Sequence, residues 1–186
     1  MSHFLAQTLL IMLLITCSIH DFLYFRIPNR LTFTAILVFL TFHSVSNGLN
    51  GMLFAFSGLA TGILLLLPLY LLRMMGAGDV KLMGSIGSAL GFSGAVKSFL
   101  FSAIAGGIYA VIILALNHAH RVRLFHRFAL MLKTLFTTGH FAYIPPAEEE
   151  KKVKLCYGVA IAAGTISYMF FEYAGYPSWA LFLSSL

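Results

Sequence analysis

The chain has 186 residues, of which 60% are hydrophobic and 10% are charged, and its formal net charge is +6. Its mean hydropathy of +0.91 excludes an ordinary soluble domain and indicates a protein whose solvent is lipid. Since each crossing of a ~30 Å hydrocarbon core takes ~20 apolar residues, this length fits about six transmembrane helices.

Six apolar runs follow one another along the chain. They are residues 4–19, 31–45, 52–72, 80–90, 96–116 and 155–173. Because the runs are continuous and do not alternate with polar residues, they exclude a membrane β-barrel and predict an all-α helix bundle. The fourth run is short and has glycines at positions 84, 87, 91 and 94, which favours a helix buried among its neighbours. We expect residues 1–186 to form a single transmembrane domain.

The first run is expected to remain in the mature protein. No Lys or Arg precedes it and no small-x-small cleavage site follows it, so it does not resemble a secretory signal peptide. The two cysteines, Cys17 and Cys156, form no C-x-x-C pair and are interpreted as small buried hydrophobic residues.

The basic residues predict the orientation of the bundle. Eleven of the twelve Lys and Arg residues follow the first, third and fifth runs, and only Lys97 falls on the other side. By the positive-inside rule, these three connections face the cytosol and the N-terminus faces out. The positive charge is therefore expected to contact anionic membrane lipids, and the chain has no motif for nucleic-acid binding.

The connection at residues 117–154 is basic and long. Its first section, residues 121–136, places apolar side chains at helical spacing with Arg and Lys between them, which predicts an amphipathic helix on the inner leaflet. The run EEEKKVK at residues 148–154 is typical of a solvated linker. The alternative is a docking surface for a cytosolic partner.

The chain has only two aspartates, Asp21 and Asp79. We expect the first run to cross inward and end near Ile19, and the fourth to cross outward and begin near Val80. Both carboxylates then lie at the same face, and this follows from the parity of the crossings even if the orientation is reversed. The remaining acids are in the 117–154 connection or, for Glu172, near the opposite face.

Each aspartate also has a purely structural interpretation. Asp79 is placed to cap the fourth helix, and Asp21 is placed to pair with Arg26. Ionisable groups at the edge of hydrocarbon are costly and tend to mark function, however, so the occurrence of both at one face favours a shared site. Two carboxylates in a low-dielectric site share one proton, which suits them to act as general base and general acid on a water that attacks a peptide carbonyl.

This chemistry requires no metal ion, organic cofactor, or Ser or Cys nucleophile. The seven histidines are scattered, and His118, His120 and His126 are interpreted as polar-face residues, with a weak metal site as the alternative. Around the aspartates, Gly76 and Gly78 lack a Cβ, so a substrate strand can approach closely, although they are also ordinary loop glycines.

The segment after Asp21 is expected to turn the chain. Pro28 is predicted to stop the first helix, Asn29 favours a turn, and the second helix is expected to start at Leu31. Arg26 has two interpretations of equal weight: it tunes the carboxylates, or it anchors to lipid phosphate.

Two motifs carry a family resemblance. D-x4-R-I-P-N runs from Asp21 to Asn29, and G-A-G-D-V-K-L runs from Gly76 to Leu82, which places the two aspartates 58 positions apart. Together they resemble the type IV prepilin peptidases, the bacterial members of the G-x-G-D intramembrane aspartyl proteases. The resemblance implies an aspartic endopeptidase with Asp21 and Asp79 as its catalytic residues. Supporting positions in the two motifs are Arg26, Pro28, Asn29, Gly76, Gly78 and Lys81.

The same resemblance implies a location and substrates. It predicts a multi-pass protein of the bacterial cytoplasmic (inner) membrane that removes the basic leader from prepilins or pseudopilins at the cytosolic face, in pilus assembly or protein secretion. The larger bifunctional members carry an insertion with paired C-x-x-C motifs, which this chain lacks, so we expect no methyltransferase activity. The compact form is similar to the peptidases of tight-adherence (Flp pilus) systems. Archaeal preflagellin peptidases are a second possibility.

Two other classes of function remain as alternatives. A proton- or ion-coupled transporter would need acidic or polar groups along a path through the bilayer, for which Glu172 is the one candidate far from the aspartates. A catalytically inactive assembly factor of a pilus or secretion system would tolerate the loss of either carboxylate.

Overall fold

The computed structural model describes residues 2–72, 74–116 and 156–175, and within these residues it contains helices and no strand. The helices are α1 (Ser2–Tyr24), α2 (Asn29–Leu71), α3 (Ala77–Leu116) and α4 (Tyr157–Tyr173). Three helical stretches are long and apolar enough to cross a membrane by length and composition, namely Leu5–Tyr24, Asn29–Leu71 and Ala77–Ile113. The all-α prediction is therefore confirmed for the part of the chain that the structure describes.

Helix α2 folds back on itself at Asn47 and Gly48. Both residues leave helical geometry, with φ −133° at Asn47 and φ +58° at Gly48, a conformation that glycine adopts readily. The rings of His43 and Phe54 lie 5.1 Å apart between centroids, whereas eleven residues of straight helix would separate them by about 16 Å. Residues 29–46 and 49–71 are thus two arms of a helical hairpin.

Helix α3 also reverses, at Gly91, where φ is +73°. Tyr157 interacts electrostatically with Asp79, and its ring packs against Gly106. These two contact points are 27 residues apart, which would be about 40 Å along a straight helix. The arms are residues 77–90 and 92–116.

Both reversals fall in the gaps that separate the predicted apolar runs. The described residues accordingly hold six helical segments, arranged as α1, two hairpins and α4. That each of these segments crosses the membrane stays a prediction, and α4, at 17 residues, is about 26 Å long, slightly shorter than a ~30 Å core.

The first arm of α3 lies at the centre of the bundle. All side chains from Leu82 to Ala89 are buried, which confirms the expectation for the glycine-rich fourth run. Gly58 and Gly87 meet backbone to backbone, as do Gly62 and Met83, so the second arm of α2 runs antiparallel to this arm at close range. Cys17 and Cys156 are both buried, as predicted.

Two predicted boundaries are wrong. Helix α1 continues past Ile19 to Tyr24 and ends where Phe25 adopts φ +53°, so Pro28 does not stop it. Pro28 instead is the N-cap of α2, which begins at Asn29 rather than Leu31. The fixed φ of proline suits the start of a helix as well as its end, and the chain uses the first of these properties.

The chain divides into two compact units, one of residues Met1–Gly106 and Cys156–Leu186 and the other of residues Gly107–Leu155. Of the second unit, the structure describes only residues 107–116, the last turns of α3. The predicted interfacial helix at 121–136 and linker at 148–154 lie outside the described residues. The single-domain prediction stays a prediction.

Candidate active site

Asp21 lies in the last turn of α1, where its side chain is buried with 6% of its surface exposed. Its Oδ2 accepts a hydrogen bond of 2.9 Å from the backbone amide of Gly158, and the amide of Val159 also donates to this carboxylate. These two amides belong to the first turn of α4, where backbone N–H groups lack the carbonyl partner four residues earlier that a helix interior provides. The amide of Val159 also donates to the carbonyl of Cys156 at 3.3 Å. The Asp21 carboxylate therefore caps the start of a helix through a backbone amide that is 137 residues away in sequence.

Asp79 lies in the first turn of α3. Its Oδ2 accepts a hydrogen bond of 3.2 Å from the amide of Gly76, and its own amide donates to the carbonyl of Gly76 at 3.2 Å. This is the return half of a capping box, in which the acidic residue at the third helical position reaches back to the residue before the helix. The structural interpretation of Asp79 as a helix cap is thus present in the geometry, and the cap fixes the direction of the carboxylate.

One buried side chain, Ile27, joins the surroundings of the two aspartates. A Cβ built on Gly78 would lie 3.1 Å from the Cβ of Ile27, and a Cβ built on Gly158 would lie 2.9 Å from its Cδ1. Gly78 precedes Asp79, and Gly158 donates to Asp21, so a neighbour of each aspartate packs against the same isoleucine. The carboxylates also interact electrostatically with each other. The chain therefore brings Asp21 and Asp79 to one site at one end of the bundle.

The two sequence motifs are also joined by a polar contact. Lys81 Nζ donates a hydrogen bond of 3.0 Å to Asn29 Oδ1 and lies 4.9 Å from the ring centroid of Phe33. This contact ties the start of α3 to the start of α2. Of the supporting residues, Lys81 and Asn29 therefore connect the two helix starts that flank the site.

Arg26 is exposed and does not form the predicted pair with Asp21. Among the described residues, the one ion pair joins Lys97 and Glu172 at 3.4 Å. The carbonyl of Arg26 accepts a hydrogen bond of 2.7 Å from His20 Nδ1, which fastens the turn between α1 and α2. Pro28 belongs to the same turn, one residue from Ile27.

Glu172 lies away from the dyad, at the opposite end of α4 from Gly158. With Lys97 it lines a cavity of about 170 Å³ together with residues from the beginning of α1, including Gln7. Its ion pair with Lys97 gives it a local partner, so nothing in its surroundings extends a chain of acids from Asp21 and Asp79.

Sequence reasoning missed three residues of the site: Ile27, Tyr157 and Gly158. A signal for the last two was present, because the parity argument that places Asp21 and Asp79 at one face also places the start of the sixth run there. It could not show which residue of that run meets a carboxylate, because that depends on how α1 and α4 pack.

Comparison with known proteins gives the family of the chain. Searches of curated proteins and of solved structures each found no significant match. The model of the type IV leader peptidase family matches residues 8–111, a stretch that contains both aspartates and both motifs. Since this is more than half of the chain, the protein belongs to the type IV leader peptidase family and is a protease of the hydrolase class.

Proposed function

We propose that the protein is an aspartic endopeptidase that removes the leader from prepilins or pseudopilins, with Asp21 and Asp79 as its catalytic residues. The observation that supports this most strongly is that the two aspartates interact electrostatically although they come from different helices. Their neighbours Gly78 and Gly158 also pack against the same side chain, Ile27. Ionisable groups brought together in a bundle of apolar helices are expensive unless they serve a function.

The reaction is a hydrolysis in which the two carboxyl groups exchange protons with water and substrate. The ionised member accepts a proton from a water as the water oxygen bonds to the peptide carbonyl carbon. The protonated member donates to the carbonyl oxygen, and the tetrahedral intermediate collapses as the C–N bond breaks and the leaving amine takes up a proton. Water supplies both the new hydroxyl and the balancing proton, so no other reactant is needed.

The position of the site at the ends of helices suits prepilins as substrates. A prepilin has a basic leader followed by an apolar helix, and that helix can lie beside the bundle while its junction reaches Asp21 and Asp79 at the ends of α1 and α3. Cleavage at a helix end requires little unwinding of backbone inside hydrocarbon, where unpaired amides are costly. We infer that the site faces the cytosol of the bacterial inner membrane, beside anionic lipids, that Flp-type pilins are the substrates, and that the protein does not methylate them.

Co-expression with a prepilin tests this proposal. The protein and a candidate Flp-type prepilin are produced in a host without other prepilin peptidases, and the size of the pilin is followed by immunoblot. We expect processing with the wild type and none with Asp21→Asn or Asp79→Asn, because asparagine still accepts the amide bonds of Gly158 or Gly76 but cannot exchange a proton.

The matched control is Glu172→Gln, which removes the acid at the other end of α4. We expect it to process the pilin at the wild-type rate, with all four proteins present in the membrane at similar amounts. Full processing by both aspartate variants, with none in cells that lack the protein, would overturn the assignment of Asp21 and Asp79 as catalytic residues. No processing by the wild type would favour the inactive assembly factor.

A further inference from the structure

We propose that Gly158 is a positioning residue for the reaction: its amide and its missing side chain set the direction of the Asp21 carboxylate. This rests on the proposed function, because it assigns the role to the same pair of aspartates. Gly158 lies in the first turn of α4, outside both sequence motifs and outside the stretch that the family model matches.

The first observation is the hydrogen bond from the Gly158 amide to Asp21 Oδ2, at 2.9 Å between buried groups. The N-cap residue of α4, Cys156, makes no side-chain capping bond, and the Asp21 carboxylate takes that place as the acceptor for the Gly158 amide. A carboxylate that accepts from two consecutive amides, Gly158 and Val159, is fixed in orientation as well as in position.

The second observation is the space around Gly158. A Cβ at this position would lie 2.8 Å from Asp21 Oδ2, 2.9 Å from Ile27 Cδ1 and 3.1 Å from Asp21 Cγ. The first two distances are shorter than a carbon atom tolerates and the third is tight, so a methyl group must displace the carboxylate or the isoleucine. All three atoms belong to side chains, which can move without disturbing a backbone.

Gly164, two turns further along α4, provides the contrast. A Cβ there would overlap the backbone of Phe101 and Ser102 in the second arm of α3. Backbone cannot yield as a side chain can, so alanine at 164 must separate two helices, whereas alanine at 158 must turn a carboxylate. Alanine substitutions at these two glycines of α4 therefore distinguish an effect on the position of a carboxylate from an effect on helix packing.

The effect of Gly158→Ala on catalysis follows from the geometry. Displacement of a reacting group by about 1 Å costs on the order of 100-fold in rate. The substrate contacts themselves are unchanged, so we expect kcat to fall by about 100-fold while KM stays within about twofold of the wild type.

The kinetic test uses the purified full-length protein in detergent with the prepilin of the co-expression assay. Gly158→Ala, Gly164→Ala and Gly107→Ala are compared, the last as a control because a Cβ at Gly107 has no atom of the described residues within 4 Å. We expect Gly107→Ala to match the wild type, Gly158→Ala to lose kcat with an unchanged thermal unfolding midpoint, and Gly164→Ala to unfold at lower temperature.

A second variant distinguishes displacement from general damage. Ile27→Val removes Cδ1, which is the one atom outside Asp21 among the three nearest to the new methyl group. In the Gly158→Ala background it gives the start of α4 room to shift, and we expect it to restore kcat by several-fold over Gly158→Ala alone. No gain from this second change would contradict the proposed displacement.

A third measurement does not depend on activity. Because the chain has only two aspartates, labelling aspartate with ¹³C at the carboxyl carbon yields two NMR signals, which Asp21→Asn assigns. We expect Gly158→Ala to move the Asp21 signal more than the Asp79 signal, and Gly107→Ala to move neither. This result would support the inference even if the wild type failed to cleave the prepilin.

Two outcomes would overturn the inference alone. One is a Gly158→Ala protein that cleaves at the wild-type rate while Asp21→Asn is inactive. The other is a Gly158→Ala protein that unfolds like Gly164→Ala, which would make Gly158 a packing residue. In both cases the proposed function would stand.

Discussion

At the residue scale, each aspartate of the site accepts a hydrogen bond at the start of a helix. Asp79 caps its own helix α3 through Gly76, whereas Asp21 caps the distant helix α4 through Gly158. The structural and the catalytic interpretations of these residues are therefore compatible, because the bonds that complete the helices also hold the carboxylates in place. Where a residue serves both purposes, we expect asparagine to preserve folding better than alanine, because asparagine still accepts the hydrogen bond.

This difference can be measured at Asp21. Asp21→Ala leaves the buried amide of Gly158 without its acceptor, whereas Asp21→Asn keeps one. We expect the alanine variant to lower the free energy of unfolding by about 1 kcal/mol relative to the asparagine variant, the usual cost of a lost helix cap. Denaturant unfolding in detergent micelles, followed by circular dichroism, measures it.

Glu172→Ala and Glu172→Gln form the matched pair for this comparison. Their acid lies at the other end of α4, where it caps no amide and pairs with Lys97 across a half-exposed contact. We expect the two variants to differ by less than Asp21→Ala and Asp21→Asn do, because exposed ion pairs contribute little. Equal stability of the two Asp21 variants would show that the start of α4 does not depend on this carboxylate.

At the element scale, the two hairpins depend on glycine in two distinct ways. Gly48 and Gly91 adopt positive φ at the reversals of α2 and α3. Gly58 and Gly87 allow the facing arms to touch backbone to backbone, so the first arm of α3 lies among the other helices of the bundle. Asp79 lies at the start of this arm, at the end of the bundle that carries the site. The position of one carboxylate is thus set by helix contacts several turns away.

Gly58→Ala tests the importance of that contact. A Cβ at Gly58 would overlap the carbonyl of Gly87 and meet the Cα of Gly91, so the two arms must separate. We expect a loss of about 1–3 kcal/mol in the free energy of unfolding, the typical cost of overpacking. Thermal unfolding in detergent is the measurement, with Gly107→Ala as the control in open space. A Gly58→Ala protein as stable as this control would contradict the close approach.

The same two hairpins show what the sequence could predict. The number of helical segments and the site of each reversal followed from the lengths of the apolar runs, and the burial of the fourth run followed from its glycines. The end of α1 did not, because Phe25 takes a left-handed conformation that phenylalanine seldom adopts, and no turn residue marks it. The contact between Asp21 and Gly158 was also out of reach, since it depends on the packing of segments that are distant in sequence.

At the scale of the whole molecule, the site depends on the alternating direction of successive helical segments. Asp21 ends the first helical segment, Asp79 begins the fourth and Gly158 begins the sixth, so the three meet only if successive segments alternate in direction. The hairpins at Asn47–Gly48 and Gly91 provide that alternation. The structure fixes the directions of the segments relative to one another, while the side of the membrane that each end faces stays a prediction from the basic residues.

Cysteine labelling tests this arrangement in cells. With Cys17 and Cys156 replaced by alanine, single cysteines are introduced as Asn47→Cys and Ser93→Cys at the two reversals, and as Arg26→Cys and Met74→Cys near the aspartates. All four positions are exposed. Because the positive-inside rule predicts that the connections rich in Lys and Arg face the cytosol, we expect a membrane-impermeant maleimide to label positions 47 and 93 in intact spheroplasts, and positions 26 and 74 only after the membrane is opened.

The pattern of labelling separates the fold from the orientation. If positions 26 and 74 label from outside and 47 and 93 do not, the orientation is wrong but the shared face of Asp21 and Asp79 stands, since parity does not depend on which side is the cytosol. If positions 26 and 74 label from opposite sides, the two aspartates lie at different faces of the membrane. They could then not act on one water, and the dyad would be excluded whatever the family of the chain.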